Sequence, residues 1–271
     1  MTPAIAQSPH RWGWGLPIWS LYAREVLRFV RQRNRVIGSL GTPLLFWIML
    51  GSGFGESLRA PGAEKGVDYM AFFFPGTLML VVLFTAIFSS MSVIQDRREG
   101  FLQGVLVAPV PRLAIVLGKV MGGATLSLAQ GLLMLLLAPL AGISLSFWSV
   151  LAAGGIIFLT ALGLSALGFL LAWRMDSVQG FHAVMNLLLM PMWFLSGALF
   201  PAAGASTWVQ WVMAANPLGH GMIALRGVLS PLDGVGGGGL VEPGTALWVV
   251  TGFAVGMLLL AAWVVSRPER Q

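Results

Sequence analysis

Six apolar runs constrain this chain more than any other feature of its sequence. A helix needs roughly 20 apolar residues to cross the hydrocarbon core of a membrane. The runs that approach or exceed this length are 36–54, 70–94, 116–141, 148–173, 182–200 and 246–265. Only 10% of the 271 residues are charged, too few to cover the surface of a soluble fold of this size. We predict an all-α polytopic membrane protein with six transmembrane helices in one domain, residues 36–265.

Basic residues indicate how this domain is oriented. Six spans place both ends on the same side, and of the 16 Lys and Arg residues thirteen fall on that side and three, Arg59, Lys65 and Arg226, on the other. Cytoplasmic loops carry such an excess. We predict a multi-pass protein of the bacterial cytoplasmic (inner) membrane, with cytoplasmic tails at 1–18 and 266–271. The +6 charge is expected to meet membrane lipid and not nucleic acid.

Residues 19–35 precede the first span and alternate apolar side chains with arginines. A helix lying in the headgroup plane buries such an apolar side and leaves the arginines near phosphates. We therefore predict an N-terminal interfacial connecting helix. A positive flank that only orients the first span is an equally open alternative.

Residues 95–112 form a charged island between the second and third runs. Asp96 is suited to cap a helix, with Glu99 three residues on completing a capping box. Phe101, Leu102, Val105 and Leu106 then share one helical face. Pro109 and Pro111 end the element. We predict a short helix over about 97–106 on the cytoplasmic surface.

Residues 201–230 form the long external connection, and they are too apolar for an ordinary loop. Two segments, each too short to span, flank Asn216-Pro217, and tryptophans such as Trp208 and Trp211 suit an interface. We predict an external re-entrant helical hairpin, with a surface-lying hairpin as the alternative. A flexible tether with the glycine run 236–239 follows.

Signatures of catalysis are missing from the sequence. The chain has no cysteine, no HExxH, and no phosphate-binding loop, since its one Gly-Lys pair is followed by Val120. No acid or base lies in the middle of a span, which argues against an ion-coupled carrier. For Gln130 and Asn186 we favour hydrogen bonding between helices over substrate contact, and we assign His182 to the interface. We predict no catalytic residue, metal site or cofactor.

Two separated segments carry a family resemblance. The island and its continuation, DRREGFLQGVLVAPVPRLAIVLGK, and the downstream pair SGALFP and NPLGHGMIALR resemble ABC transporter permeases of the type-2 export class. The matching residues of the first segment are Asp96, Arg97, Glu99, Gly100, Pro109, Gly118 and Lys119. Gln103 stands where the family often has glutamate, and Gly219-His220 replaces a common Thr-Tyr.

The resemblance implies a permease that dimerises and binds two copies of a separate cytoplasmic ATPase, which holds the ATP and magnesium. Its cargo would be a drug, lipid, glycolipid or polysaccharide. The island would be a coupling helix and the hairpin part of an external gate. The implied coupling residues are Asp96, Arg97, Arg98, Glu99, Gly100, Phe101, Leu102, Gln103, Leu106 and Pro109. The implied gate residues are Trp208, Trp211, Asn216, Pro217 and Arg226.

Two other functions stay open from the sequence. One is a membrane scaffold that anchors a cytoplasmic ATPase without transporting anything. The other is a membrane-embedded enzyme acting on lipid, for which His182, Asn186, Gln130 and His220 are the polar candidates.

Overall fold

The computed structural model describes residues 14–54, 69–200, 202–229 and 241–267, which form helices and connecting turns without a β-strand. Some sequence predictions fall outside these residues. They concern residues 1–13 of the N-terminal tail, Arg59 and Lys65, the glycine run 236–239, and residues 268–271 of the C-terminal tail.

The described chain contains eleven α-helices. Six segments are long and apolar enough to span a membrane; one of them combines α3 with α4, and another combines α8 with the turn that follows it. The helices are α1 (Gly15–Arg31), α2 (Arg33–Phe54), α3 (Tyr69–Ser89), α4 (Met91–Arg98), α5 (Phe101–Val107), α6 (Arg112–Leu135), α7 (Phe147–Trp173), α8 (Val178–Trp193), α9 (Thr207–Ala215), α10 (Pro217–Leu229) and α11 (Pro243–Ser266). The candidate spans are Val36–Gly53, Tyr69–Arg98, Arg112–Leu135, Phe147–Trp173, Val178–Ala198 and Pro243–Ser266. The predicted all-α fold with six spans is confirmed.

Several predicted boundaries are wrong for identifiable reasons. The connecting helix begins at Gly15 and ends at Arg31, earlier than the predicted 19–35. The second span ends at Arg98 and not at 94, because a single turn residue, Ser90, separates α3 from α4 and the two helices form one span. The third span ends at Leu135 and not at 141, and a 3₁₀ turn that contains Pro139 follows it.

The core of the bundle is α3, whose span is mostly buried. Helix α6 packs between α1 on one side and α3 and α7 on the other. Helix α11 packs against α7 and α10, and α2 packs against α3. Most of the surface of α2 and α11 is exposed and apolar, as expected of helices that face lipid or a second membrane helix.

Helix α1 approaches α6 closely because two glycines of α6 face it. A Cβ at Gly118 would lie 2.7 Å from the Leu21 Cβ and 3.1 Å from the Ile18 carbonyl oxygen, and one at Gly122 would lie 2.8 Å from the Glu25 Cβ. This glycine pair, four residues apart, therefore binds α1 within the chain. At Gly252 and Gly256 a Cβ would meet nothing within 4 Å.

The capping box predicted at Asp96 is wrong. Asp96 lies inside α4 and is fully buried, and the N-cap of α5 is Gly100, with φ +75° and ψ −5°. Glycine adopts this left-handed conformation without steric cost, which lets the chain turn sharply between α4 and α5. The two prolines end α5 as predicted, since Ala108 is extended and α6 begins directly after Pro111.

The external connection contains the two predicted short helices, α9 and α10, with the break at Asn216-Pro217. Before them α8 ends in a π-helical turn, Phe194–Ala198, where Gly197 has φ +84°. The Asn216 Nδ2 donates to the carbonyls of Met192 (2.6 Å) and Leu195 (3.0 Å), and its Oδ1 accepts from the Leu218 N–H. Asn216 thus joins the end of α8 to the start of α10.

We expect Gly118→Ala to destabilise the protein by about 1–3 kcal/mol, because the added methyl overpacks the contact between α1 and α6. Thermal unfolding of the purified protein in detergent measures this. Gly252→Ala is the matched control, since it brings the same gain in helix propensity in a spanning helix where the methyl meets open space. Equal melting temperatures for the two variants would show that the α1–α6 contact is loose.

Candidate functional site: a charge cluster at the base of α5

Three acids and three bases meet where α1, α4 and α6 converge, directly before α5. We call this group the charge cluster: Arg24, Glu25 and Arg28 of α1, Ser92, Asp96 and Glu99 of α4 and its C-cap, and Lys119 of α6. Its formal charges cancel. The cluster holds together three elements that are distant in sequence.

Lys119 is the centre of the cluster. Its Nζ donates to the Glu25 Oε2 (2.8 Å), to the Ser92 Oγ (3.0 Å) and to the Asp96 Oδ2. The Ser92 Oγ in turn donates to the Glu25 Oε2 at 2.8 Å. An ammonium group has three donors, so Lys119 is fully hydrogen-bonded. All four side chains are buried, where an unpaired charge is strongly unfavourable.

The two arginines of α1 complete the pairing of the acids of α4. The Asp96 Oδ1 accepts from the Arg28 Nη1 (2.9 Å) and lies 3.0 Å from the Arg24 Nη2. The Arg28 Nη2 also donates to both carboxylate oxygens of Glu99, each at 3.0 Å. The guanidinium of Arg24 lies 3.3 Å from the centre of the Phe101 ring. Helix α1 therefore contacts both the end of α4 and the first residue of α5.

Arg97 and Arg98 lie on the other side of α4 and bind the connection between α7 and α8. The Arg97 Nη1 pairs with the Asp176 Oδ1 (3.1 Å), and its Nη2 donates to the Trp173 carbonyl (2.6 Å). The Arg98 Nε donates to the Asp176 carbonyl at 2.9 Å. The end of α4 is thus held on two sides.

Helix α5 turns most of its apolar face towards its own chain. Leu102 is buried, and Phe101, Val105 and Leu106 are half-buried. Leu102, which the resemblance places among the coupling residues, therefore positions α5 and offers no surface in this conformation. The surface that α5 presents consists of Gln103, Gly104, Val107 and, after its end, Pro109, and Val107 is 88% exposed.

A groove of about 680 Å³ separates α1 from α5 on this surface. Its α1 wall contains Leu16, Pro17 and Leu21, and its α5 wall contains Phe101, Val105 and Pro109. The groove is almost entirely apolar. It lies next to the charge cluster, because the Phe101 ring in its wall contacts the Arg24 guanidinium.

Some polar residues inside the spans form hydrogen bonds with other helices, and others do not. The Gln130 side chain exchanges hydrogen bonds with Ser39 and accepts one from Thr85, so the predicted bonding between helices is confirmed there. Asn186 is exposed in the middle of its span, and no hydrogen bond joins it to the described part of the chain, so it does not bond another helix of the same copy. His182 and Asn186 instead line a cavity of about 380 Å³ with Ser39 and Thr42.

The implied gate residues lie at the opposite end of the bundle from α5, and they differ in character. Trp208 and Trp211 of α9 are 68% and 74% exposed. Asn216 and Pro217 form the break between the two short helices. Arg226 is buried on α10 against Phe72. The structure gathers the implied coupling residues at one end and the implied gate residues at the other.

Sequence reasoning missed the cluster as a unit. The sequence pattern predicts that the arginines of residues 19–35 lie near lipid phosphates, whereas in the structure Arg24 and Arg28 bind acids of the chain itself. Two signals point to it: Ser92, Asp96 and Glu99 share one face of α4 at spacings of four and three, and Glu25 is the only acid in its basic segment.

Comparison with known proteins identifies a family for most of the chain. A family model described as ABC-2 type transporter matches residues 17–230. A transport permease ycf38 of Cyanophora paradoxa is 29% identical over 212 residues, which cover 77% of this chain and 72% of the relative. Nodulation protein J of Rhizobium meliloti (strain 1021) is 30% identical over 232 residues, which cover 83% and 85% of the two chains.

We expect Lys119→Met to destabilise the protein by about 3–5 kcal/mol, because it leaves the buried Glu25 carboxylate without its cation. Adding Glu25→Gln removes that charge and is expected to restore part of the loss. Thermal unfolding measures both variants. Arg174→Met, which removes an exposed cation at the same end of the bundle, is the control and is expected to have little effect. A Lys119→Met variant as stable as this control would refute the role of the cluster.

Proposed function

Because the chain belongs to the ABC-2 type transporter family, we propose that it is the permease subunit of an ATP-driven exporter, powered by a separate cytoplasmic ATPase. Family membership establishes a membrane transport subunit and not a catalytic enzyme. The observation that carries the rest of the proposal is α5: a short helix with an exposed end, which follows directly on α4, and α4 is held by buried ion pairs to α1 and α6.

The surface of α5 and the adjoining groove provide the site for the ATPase. Gln103, Gly104 and Val107 are exposed, and the apolar groove between α1 and α5 fits an apolar side chain of the partner. One ATPase copy on each of two permease copies gives two ATPase subunits. ATP and magnesium bind in the ATPase and not in this chain. On this assignment both ends of the chain are in the cytoplasm of a bacterium.

Movement of α5 is transmitted to several spans, because the end of α4 that precedes α5 is bonded to each of them. Helix α4 continues into the second span, Lys119 connects it to the third, and Arg97 and Arg98 connect it to Asp176 between the fourth and fifth. Helix α1 moves with this unit through Arg28. A push on α5 therefore moves the cytoplasmic ends of these spans together, as a rigid body about a hinge does.

Asn186 supports a path for cargo between two copies of the chain. An unpaired amide facing lipid tails in mid-span is unfavourable, so Asn186 is expected to face water, polar cargo or a second copy. Packing α2 and α8 of two copies together brings their cavities of about 380 Å³ face to face. Such a path, mostly apolar with few polar groups, suits a hydrophobic or amphipathic cargo such as a drug, lipid or glycolipid better than a polysaccharide.

We expect Val107→Asp to reduce recovery of the ATPase subunit with the affinity-tagged permease about tenfold, which corresponds to about 1.4 kcal/mol of binding free energy. Val107 is the last residue of α5 and its side chain is exposed, so the new charge disturbs no internal packing. The amount of permease in the membrane fraction is therefore expected to stay unchanged. Gln179→Asp places the same charge on another exposed residue at the same end and is the control.

Three outcomes would contradict the proposal. Absence of any ATPase subunit with the unsubstituted chain, expressed with its neighbouring genes, would remove the partner. Normal recovery with Val107→Asp would place the partner away from α5. Recovery of the ATPase with full activity of the complex after a cross-link fixes the region from Trp208 to Arg226 would favour a scaffold over an exporter.

The two-copy arrangement can be tested separately by cross-linking. The chain contains no cysteine, so a single introduced cysteine is its only thiol. We expect Asn186→Cys to give a covalent dimer with a short bifunctional thiol reagent in native membranes. Leu259→Cys, on the exposed face of α11, is the control and is expected to stay monomeric. Dimers formed only through residue 259 would move the interface from α8 to α11.

A further inference from the structure

Arg226 is a buried cation that has no acid of the described residues beside it. It lies on α10, is 9% exposed, and its guanidinium carbon lies 4.3 Å from the centre of the Phe72 ring. Its one hydrogen bond within the described chain is a long one, 3.4 Å from Nη2 to the Phe72 carbonyl. Burial lowers the pKa of Arg226 to about 10, so the side chain is still charged at neutral pH.

Lys119, the other buried Lys or Arg of the described residues, is paired with acids. Lys119 contacts the carboxylates of Glu25 and Asp96 and the hydroxyl of Ser92. No carboxylate of the described residues contacts Arg226. A buried cation that has no counter-ion is unfavourable. A guanidinium has five donors, most of which have no acceptor among the described residues. An anion from outside the chain would supply what is missing.

The depth of Arg226 in the membrane indicates where that anion comes from. Phe72 lies near the start of α3, roughly 36 Å along the second span from Asp96 at 1.5 Å per residue. The hydrocarbon core is about 30 Å thick, so Arg226 lies near the headgroup level of the leaflet opposite α5. The exposed Trp208 and Trp211 of the neighbouring α9 are typical of that level.

We propose that Arg226 binds the phosphate group of a membrane lipid in the leaflet opposite α5, between α10 and the start of α3. The arginine fork matches two oxygens of a phosphate at once, and the low dielectric around a buried guanidinium strengthens the pairing. The lipid thus fixes α10 against α3 at this end of the bundle. This site does not depend on the cargo, on the ATPase or on dimerisation.

The test uses the purified full chain in an uncharged detergent, with three additions compared. These are phosphatidylglycerol, diacylglycerol with the same acyl chains, and inorganic phosphate. The melting temperature and the number of lipids retained in native mass spectrometry are recorded. At about 100 times its Kd, we expect phosphatidylglycerol to raise the melting temperature by about 5–10 °C, and diacylglycerol, which lacks the phosphate, to have little effect.

Arg226→Gln is expected to abolish that stabilisation and the retained lipid. Arg112→Gln, which removes another arginine at the opposite end, is expected to keep both, since the Arg112 Nη1 donates to carbonyls of Val265 and Arg267. Arg226→Lys keeps the charge but not the fork, so weaker lipid retention is expected. If Arg226→Gln does not fold, the comparison of Arg226→Lys with Arg112→Gln decides.

Two results would overturn the proposal. In one, diacylglycerol stabilises the chain as much as phosphatidylglycerol, or the Arg226 variants respond to lipid as Arg112→Gln does. In the other, inorganic phosphate alone gives the full Arg226-dependent shift, which would identify a site for a free anion and not for a lipid headgroup.

Discussion

The contact of Lys119 with Glu25 and Asp96 is the interaction on which the cytoplasmic end of the fold depends. It joins α1, α4 and α6, which are separated by many residues, in a place where none of the three charges is stable alone. The glycines at 118 and 122 bring α1 near enough for Glu25 to reach the lysine. Close backbone packing and ion pairing therefore require one another: without the small residues the acid cannot reach Lys119, and without the lysine the acid cannot be buried.

Replacing such a cluster by apolar side chains often leaves a protein equally stable, so stability alone does not explain three acids and three bases here. Its geometry offers another reason. A buried ion pair needs particular partners at short distances, so it favours one arrangement of neighbouring elements over the alternatives. A junction built from such pairs keeps α5 in a fixed orientation relative to three spans. That property suits an element that receives force from outside the membrane, as we propose for α5.

The sequence predicts the spans well because their signal is local: length and hydropathy decide whether a helix crosses the membrane, and the prolines around α5 stop it wherever the rest of the chain lies. Asp96 shows the opposite case. Locally it resembles a helix cap, but three cations distant in sequence bury it inside α4. The exposure of Asn186 could not be predicted, because hydropathy shows that a polar residue lies in a span but not which side of the helix faces the bundle. Arg226 illustrates a third limit, since the sequence gives its charge but not its burial.

The π-helical end of α8 has a consequence for how the far end of the bundle moves. At this end the carbonyls of Met192, in the last turn of α8, and of Leu195, in the π-helical turn, accept hydrogen bonds from the side-chain amide of Asn216. Asn216 directly precedes α10. Separating α10 from α8 would leave two carbonyls and an amide unpaired among apolar side chains, which is unfavourable at each group. Any displacement of α10 is therefore expected to carry the last turn of the fifth span with it.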